Sequence, residues 1–231
     1  MKKILLCLIA SMGLASADDG VFTINDVCDG FGCFPGDAPG FPVTITQPGS
    51  YQLTSNIVSS STTINVIEIS ADNVTLDLNG FSIIGPRTCT GDNATLVCTN
   101  SGMTAHGITA SARKNIVVKN GTVQGFDTGV SLTSASQRGN TVHHINSSQN
   151  EFGITVINGM ISDSVANRNL NTGFNNGLFG HLFIKDSFAY GNAQFSAIAV
   201  TCSNVYFAFN AADNCARYTN ESSCGNGVAC P

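Results

Sequence analysis

The chain has 231 residues, a net charge of −5 at pH 7, no tryptophan and only 11% charged residues. An acidic, charge-poor sequence without a Lys/Arg cluster argues against nucleic acid and anionic membrane surfaces as partners. Its polar residues are chiefly Asn, Ser, Thr and Gly, a vocabulary of turns and strand surfaces rather than of helices.

Residues 1–17 read as an export signal. Lys2 and Lys3 precede the apolar run "ILLCLIASMGL", and Ala15-Ser16-Ala17 fits a cleavage site of small residues. The run is too short to cross a bilayer. No later segment is long and apolar enough, so no membrane insertion is expected. A bacterial protein, periplasmic or secreted, is the expectation. Cleavage leaves 214 residues carrying −7, a size that suits one all-β domain.

Residues 18–58 are expected to form an N-terminal cap. They hold Cys28 and Cys33, a Pro/Gly-rich stretch, and "FPVTITQPGSYQLTSNIV" as lead-in strands. Next comes "NVTLDLNGFSIIG" (73–85), in which Val74, Leu76 and Leu78 alternate with Thr75 and Asp77. Alone, Asn79–Gly80 would join two strands of a hairpin. The same pair recurs as Asn120–Gly121, which makes it the corner of a repeating unit instead. Between the two lies an excursion, 86–104, expected to be closed by Cys89 and Cys98.

The repeat is visible in two columns. "HGIT", "TGVS", "FGIT", "TGFN" and "SAIA" each place a small residue before an apolar one: Ile108, Val130, Ile154, Phe174 and Ile198, at spacings of 22, 24, 20 and 24. The intervening strand-like runs close on Asn150, Asn169, Asn192 and Asn214, spaced 19, 23 and 22. Short alternating strands at this period, with no helical pattern, predict a β-solenoid. The expected fold is all-β: a single-stranded right-handed parallel β-helix over 59–214, of six to seven coils. Its inward Val, Ile, Leu and Phe should stack along the axis, with Asn at the corners. Residues 215–231, with Cys215, Cys224 and Cys230, are expected to cap the far end.

Omitting Cys7 of the signal, eight cysteines remain: 28, 33, 89, 98, 202, 215, 224 and 230. An even number in an exported chain suggests disulfides. About a hundred pairings are combinatorially open. Sequence neighbours, 28/33, 89/98, 202/215 and 224/230, are the expected ones. A zinc site is not expected, because no tight Cys-x2-Cys pair or adjacent histidine occurs.

The stretches "QPGSYQLTSNI", "IEISADNVTLDLNGFSIIG" and "NIVVKNGTVQGF" resemble the opening of secreted bacterial right-handed parallel β-helix repeat proteins of the pectin-lyase-like superfamily. The resemblance spans 42–214 and implies a right-handed coil with three sheets. It implies no activity by itself. Enzymes of that superfamily cleave or epimerise acidic polysaccharides, and their motifs are incomplete here. Gly180-His181 is followed by Leu182, and Asn171-Thr172 by Gly173. No catalytic residue is carried over.

Candidate chemistry rests on the outward positions of the second column: Asp77, Lys119, His143 or His144, Asp163, and Lys185 with Asp186. Successive coils should stack these about 5 Å apart. A histidine between carboxylates could act as a general base, which makes His143, His144, Asp163 and Asp186 the catalytic candidates. The simpler reading is a solvated face with cross-strand ion pairs. Asp77, Lys119, Tyr190 and Tyr206 are the binding candidates, with Tyr218 a third exposed ring. Phenylalanines 126, 152, 174, 179, 188, 195, 207 and 209 are expected in the core and corners. The expected function is that of a non-catalytic, monomeric, secreted β-helix binding a polysaccharide or cell-surface glycan. The alternative is a small polysaccharide lyase or hydrolase acting on an acidic glycan. No cofactor is expected, except calcium under the lyase alternative.

Overall fold

The computed structural model describes residues 20–91, 95–133, 139–177, 181–199, 201–208, 210, 212–215, 218–219 and 223–224, with side chains described through 210 except at 29 and 195–199. Apart from one helical turn, Cys28–Phe31, the described secondary structure is almost entirely β. It is a parallel β-helix. One sheet stacks eight strands, beginning with Val43–Ile45, Ile67–Ile69, His106–Ser111 and Thr128–Thr133. A larger sheet of 13 strands wraps the rest of each coil. Apart from the small ribbon Cys89–Thr90/Val97–Cys98, every strand pairing described is parallel. Six coils run from Ile67 to Ala208; the lead-in strands add a rung before them, with Val21–Ile24 a second in the larger sheet, and the terminal strands add one after them.

Three apolar columns fill the interior. Ile67, Ile108, Val130, Ile154 and Phe174 are in register and fully buried. The column continues differently from the sequence reading: Phe174 pairs with Ala197, and Ile198 with Asn214, across a register shift. Leu76, Val118, Val142, Ile161, Ile184 and Cys202 form the second column, all with no exposure. Each such buried aliphatic contributes about 1.5–3 kcal/mol. The third column runs Ile83, Val123, Ser147, Ala166, Ala189 and Phe207. Its middle members are small because a buried asparagine ladder lies beside them.

That ladder is Asn150, Asn169, Asn192 and Asn210, none more than 2% exposed. Each Oδ1 accepts the backbone N–H of the preceding rung, at 2.9 to 3.1 Å from Phe126 through Asn192. Each Nδ2 donates to a carbonyl of the preceding coil: Val123, Ser147, Ala166 and Ala189. The fourth rung is thus Asn210 and not Asn214, whose backbone lies in the other sheet. The small residue of each repeat has its reason here. A Cβ on Gly129 or Gly153 would run into the carbonyl oxygen of Gly153 or Gly173 in the next coil, and would also meet Asn150 Nδ2 or Asn169 Nδ2 at 2.9 and 2.8 Å, inside contact distance.

The strands Val74–Asp77 and Ser82–Ile84 are not a hairpin. Each pairs in parallel with its own half of Ile116–Gln124. The first corner is two residues longer than the second, so Asn79–Gly80 bulges outward, while Leu78 is buried against Gly121.

Disulfides join Cys28 to Cys33 and Cys89 to Cys98. Cys202 is also disulfide-bonded. The side chains of Cys215 and Cys224, and residues 1–17 and Cys230, lie outside the described part.

Candidate functional site

The larger sheet bends once per coil, at a single residue in the left-handed region. Asn120, His144, Asp163, Asp186 and Asn204 have φ between 46 and 61°. Asn and Asp tolerate that conformation and β-branched residues do not, which explains the polar residues at this corner. The ladder continues on both sides of the bend, so one sheet makes two of the three faces and the coils are built of two sheets rather than the three expected.

This bend splits the predicted column in two. Gln52, Asp77, Lys119, His143, Ser162, Lys185 and Ser203 are in register on the first face. His144, Asp163 and Asp186 belong to the corner. Ser162, not Asp163, occupies the rung beside His143, and His144 is exposed rather than turned inward.

At the N-terminal end of this face lies a shallow groove of about 180 Å³, lined by Ser50, Gln52, Thr75, Asp77 and Lys119 and walled by Val21. The structure therefore brings together two of the predicted binding residues. Lys119 Nζ lies 3.3 Å from Asp77 Oδ2. Asn120 Nδ2 donates to both Asp77 oxygens at 3.1 and 3.2 Å, and the Asn79 N–H donates at 2.8 Å. Burial on its own would raise the Asp77 carboxyl. The three hydrogen bonds and the lysine charge together outweigh it and hold the group below the usual carboxylate range. A carboxylate fixed in its charged state is a hydrogen-bond acceptor, not a general acid.

His143 and His144 face each other, Nδ1 to Nδ1 at 3.0 Å. Burial lowers the His143 pKa, and His144 and Lys119 push it the same way against Asp163 and Asp77. Asp186 pairs with Lys185 at 3.0 Å and accepts from Asn204 Nδ2 at 2.7 Å. Among the described residues, neither histidine is hydrogen-bonded to Asp163 or Asp186. His143 and His144 meet each other, and Asp163 acts on His143 through its charge rather than through a hydrogen bond. Among the described residues, no three His, Cys, Asp or Glu side chains are grouped as metal ligands.

The aromatic candidates lie on the second face. Phe188 pairs in register with Tyr206, and their rings stack at 4.7 Å and 13°, with Tyr190 edge-on to Phe188 at 5.2 Å. Phe188 is therefore outward, contrary to the sequence expectation, because the bend resets which strand positions point inward. Phe126, Phe174 and Phe207 are fully buried, as expected. Phe179 and Phe209 and the side chains of Phe195 and Tyr218 lie outside the described part. The ring stack limits sugar binding: Phe188 and Tyr206 spend a face on each other.

A further cluster has no sequence signal. Arg87, with a fully buried side chain, pairs with Glu151 Oε2 at 2.9 Å across 64 residues. Its other nitrogens donate to Met103 Sδ and the Asn100 carbonyl. Arg168 donates to the carbonyls of Cys89 and Gly91, and Gln149 Oε1 accepts from the Cys89 N–H. The excursion 86–104 is thereby strapped across later coils. Next to it His106 Nδ1 lies 3.9 Å from Asp127 Oδ2, beyond hydrogen-bond distance. Burial raises the Asp127 carboxyl and lowers the His106 imidazole, and each charge partly offsets the shift of the other.

No protein-family model and no curated protein matches the chain. Among solved structures, the fold is similar to the crystal structure of the Dettilon tailspike protein (gp208), with a TM-score of 0.36 and 11% identity. That alignment covers 81% of this chain and 45% of the tailspike, so the chain spans less than half of that protein's length.

Proposed function

We propose that the protein is a monomeric, non-catalytic β-helix that works outside the cytoplasm and binds a polysaccharide or cell-surface glycan along the first face of the bent sheet. The observation that carries this reading is the groove. It offers the side chains of Ser50, Gln52, Thr75, Asp77 and Lys119 as donors and acceptors on a rigid ladder. Sugar hydroxyls donate and accept, and a ladder of fixed partners meets them without the entropy cost of ordering loops. The fixed charge of Asp77, and histidines that bond each other rather than a carboxylate among the described residues, favour binding over chemistry. The test is retention of the protein on a panel of immobilised glycans. Thr75→Ala with Gln52→Ala should lower the affinity at least tenfold with no change in thermal midpoint.

A small polysaccharide lyase or hydrolase is the second reading. It is favoured by Asp127, whose burial-raised carboxyl beside His106 suits a general acid. A screen on polygalacturonate and alginate, with and without calcium, decides it: cleavage that is lost in Asp127→Asn would replace the binding reading.

A further inference from the structure

Resting on that binding reading, we infer that the ligand is an uncharged polysaccharide and that the face is built to refuse acidic ones. Recognition of a uronate or sulfate needs a cation with no partner of its own, best an arginine fork. On this face both lysines are already matched by carboxylates. Lys119 is held by Asp77 at 3.3 Å, and Asp77 is itself bound by Asn120 and the Asn79 N–H. Lys185 is held by Asp186 at 3.0 Å, and Asp186 by Asn204. Asp163 adds a further carboxylate at the corner between them, its backbone N–H donating to the Lys185 carbonyl. The two histidines supply no compensating fork: they are turned on each other.

Two arginines of later coils and the excursion are engaged elsewhere. Arg87 is buried on Glu151, and Arg168 is engaged with the excursion's carbonyls. An anionic polymer laid on the face would have to displace Asp77 or Asp186 from its lysine, or lie against them. Both cost more than the same contact with a hydroxyl, which can accept from Lys119 and donate to Asp77 at once. The paired ions thus remain useful to a neutral sugar and useless to an acidic one.

The experiment uses the full chain on columns of neutral glycans (cellulose, xylan, mannan, dextran) and of polygalacturonate and alginate, at low and at high salt. The wild type should be retained on at least one neutral glycan and pass through the acidic columns. Asp77→Asn combined with Asp186→Asn keeps the side-chain shapes and frees Lys119 and Lys185. This variant should gain retention on polygalacturonate that is lost at high salt. Wild-type retention on polygalacturonate that disappears in Lys119→Gln with Lys185→Gln would overturn the inference and leave glycan binding standing. So would failure of the charge-freed variant to gain retention. Passage of the wild type through every column would overturn the binding reading, and this inference with it.

Discussion

Two corners of the same coil are stacked by opposite rules. The inner corner repeats one residue, Asn150, Asn169, Asn192 and Asn210, fully or almost fully buried. The outer corner varies: Asn120, His144, Asp163, Asp186 and Asn204 share a left-handed backbone and little else. The difference is water. At the inner corner each side chain must supply both an acceptor for a backbone N–H and a donor for a carbonyl, and only an amide of this length does both. At the outer corner water satisfies whatever the side chain does not, so the backbone conformation alone is selected. The inner corner is therefore committed to the fold, and the outer corner is free to carry charge, pairing and recognition.

The comparison can be broken most severely from inside. Asn169→Ala leaves the Asn150 N–H and the Ser147 carbonyl without their partner, and should cost about 3 kcal/mol, measured by urea denaturation. Gly153→Ala drives a methyl against the Gly173 carbonyl oxygen of the next coil and against Asn169 Nδ2, and should cost about 2 kcal/mol in the same assay.

The outer corner separates backbone from side chain. Asp163→Val should cost about 1 kcal/mol, the strain of a β-branched residue in the left-handed region. Asp163→Asn should stay within about 0.5 kcal/mol of wild type. Equal losses for the two would mean that the carboxylate, not the φ angle, is what the corner needs.

Acid gives the smallest signal. His106 and His143 have folded-state pKa values below the ordinary 6.5. Above pH 6.5 they are neutral in both states and contribute nothing. As the pH falls below 6.5, the unfolded chain takes up protons that the folded chain resists, so stability declines until the folded values are passed. Replacing both histidines by glutamine should flatten the denaturation midpoint over that window. Asp77 acts lower: its folded pKa is depressed below 3.8, so its contribution is whole above 3.8 and is lost as the pH falls further.

Much of the coil was legible in order. The alternation of Val74, Leu76 and Leu78 and the return of Asn-Gly announced stacked strands, and Gly107, Gly129, Gly153 and Gly173 marked the same point of successive coils. The excursion's disulfide was legible because Cys89 and Cys98 are close in sequence. Asn210 is not legible because Asn210 and Asn214, 18 and 22 residues after Asn192, both fall near one period, and only the Ala189 carbonyl and the Asn192 N–H choose between them. Asp163 was assigned to the open face because strand parity cannot be carried through a bend whose position is set by one φ angle.

Sequence alone determined the period, the identity of the inward apolar residues in most coils, and the scarcity of charge. These are local properties: a two-residue alternation and a repeat length are written along the chain. Tertiary structure decided which charges meet. Lys119 finds Asp77, Arg87 finds Glu151, and Phe188 finds Tyr206 only because the stacked coils set residues one or more repeats apart side by side, in a register fixed by corners whose lengths differ by a residue or two.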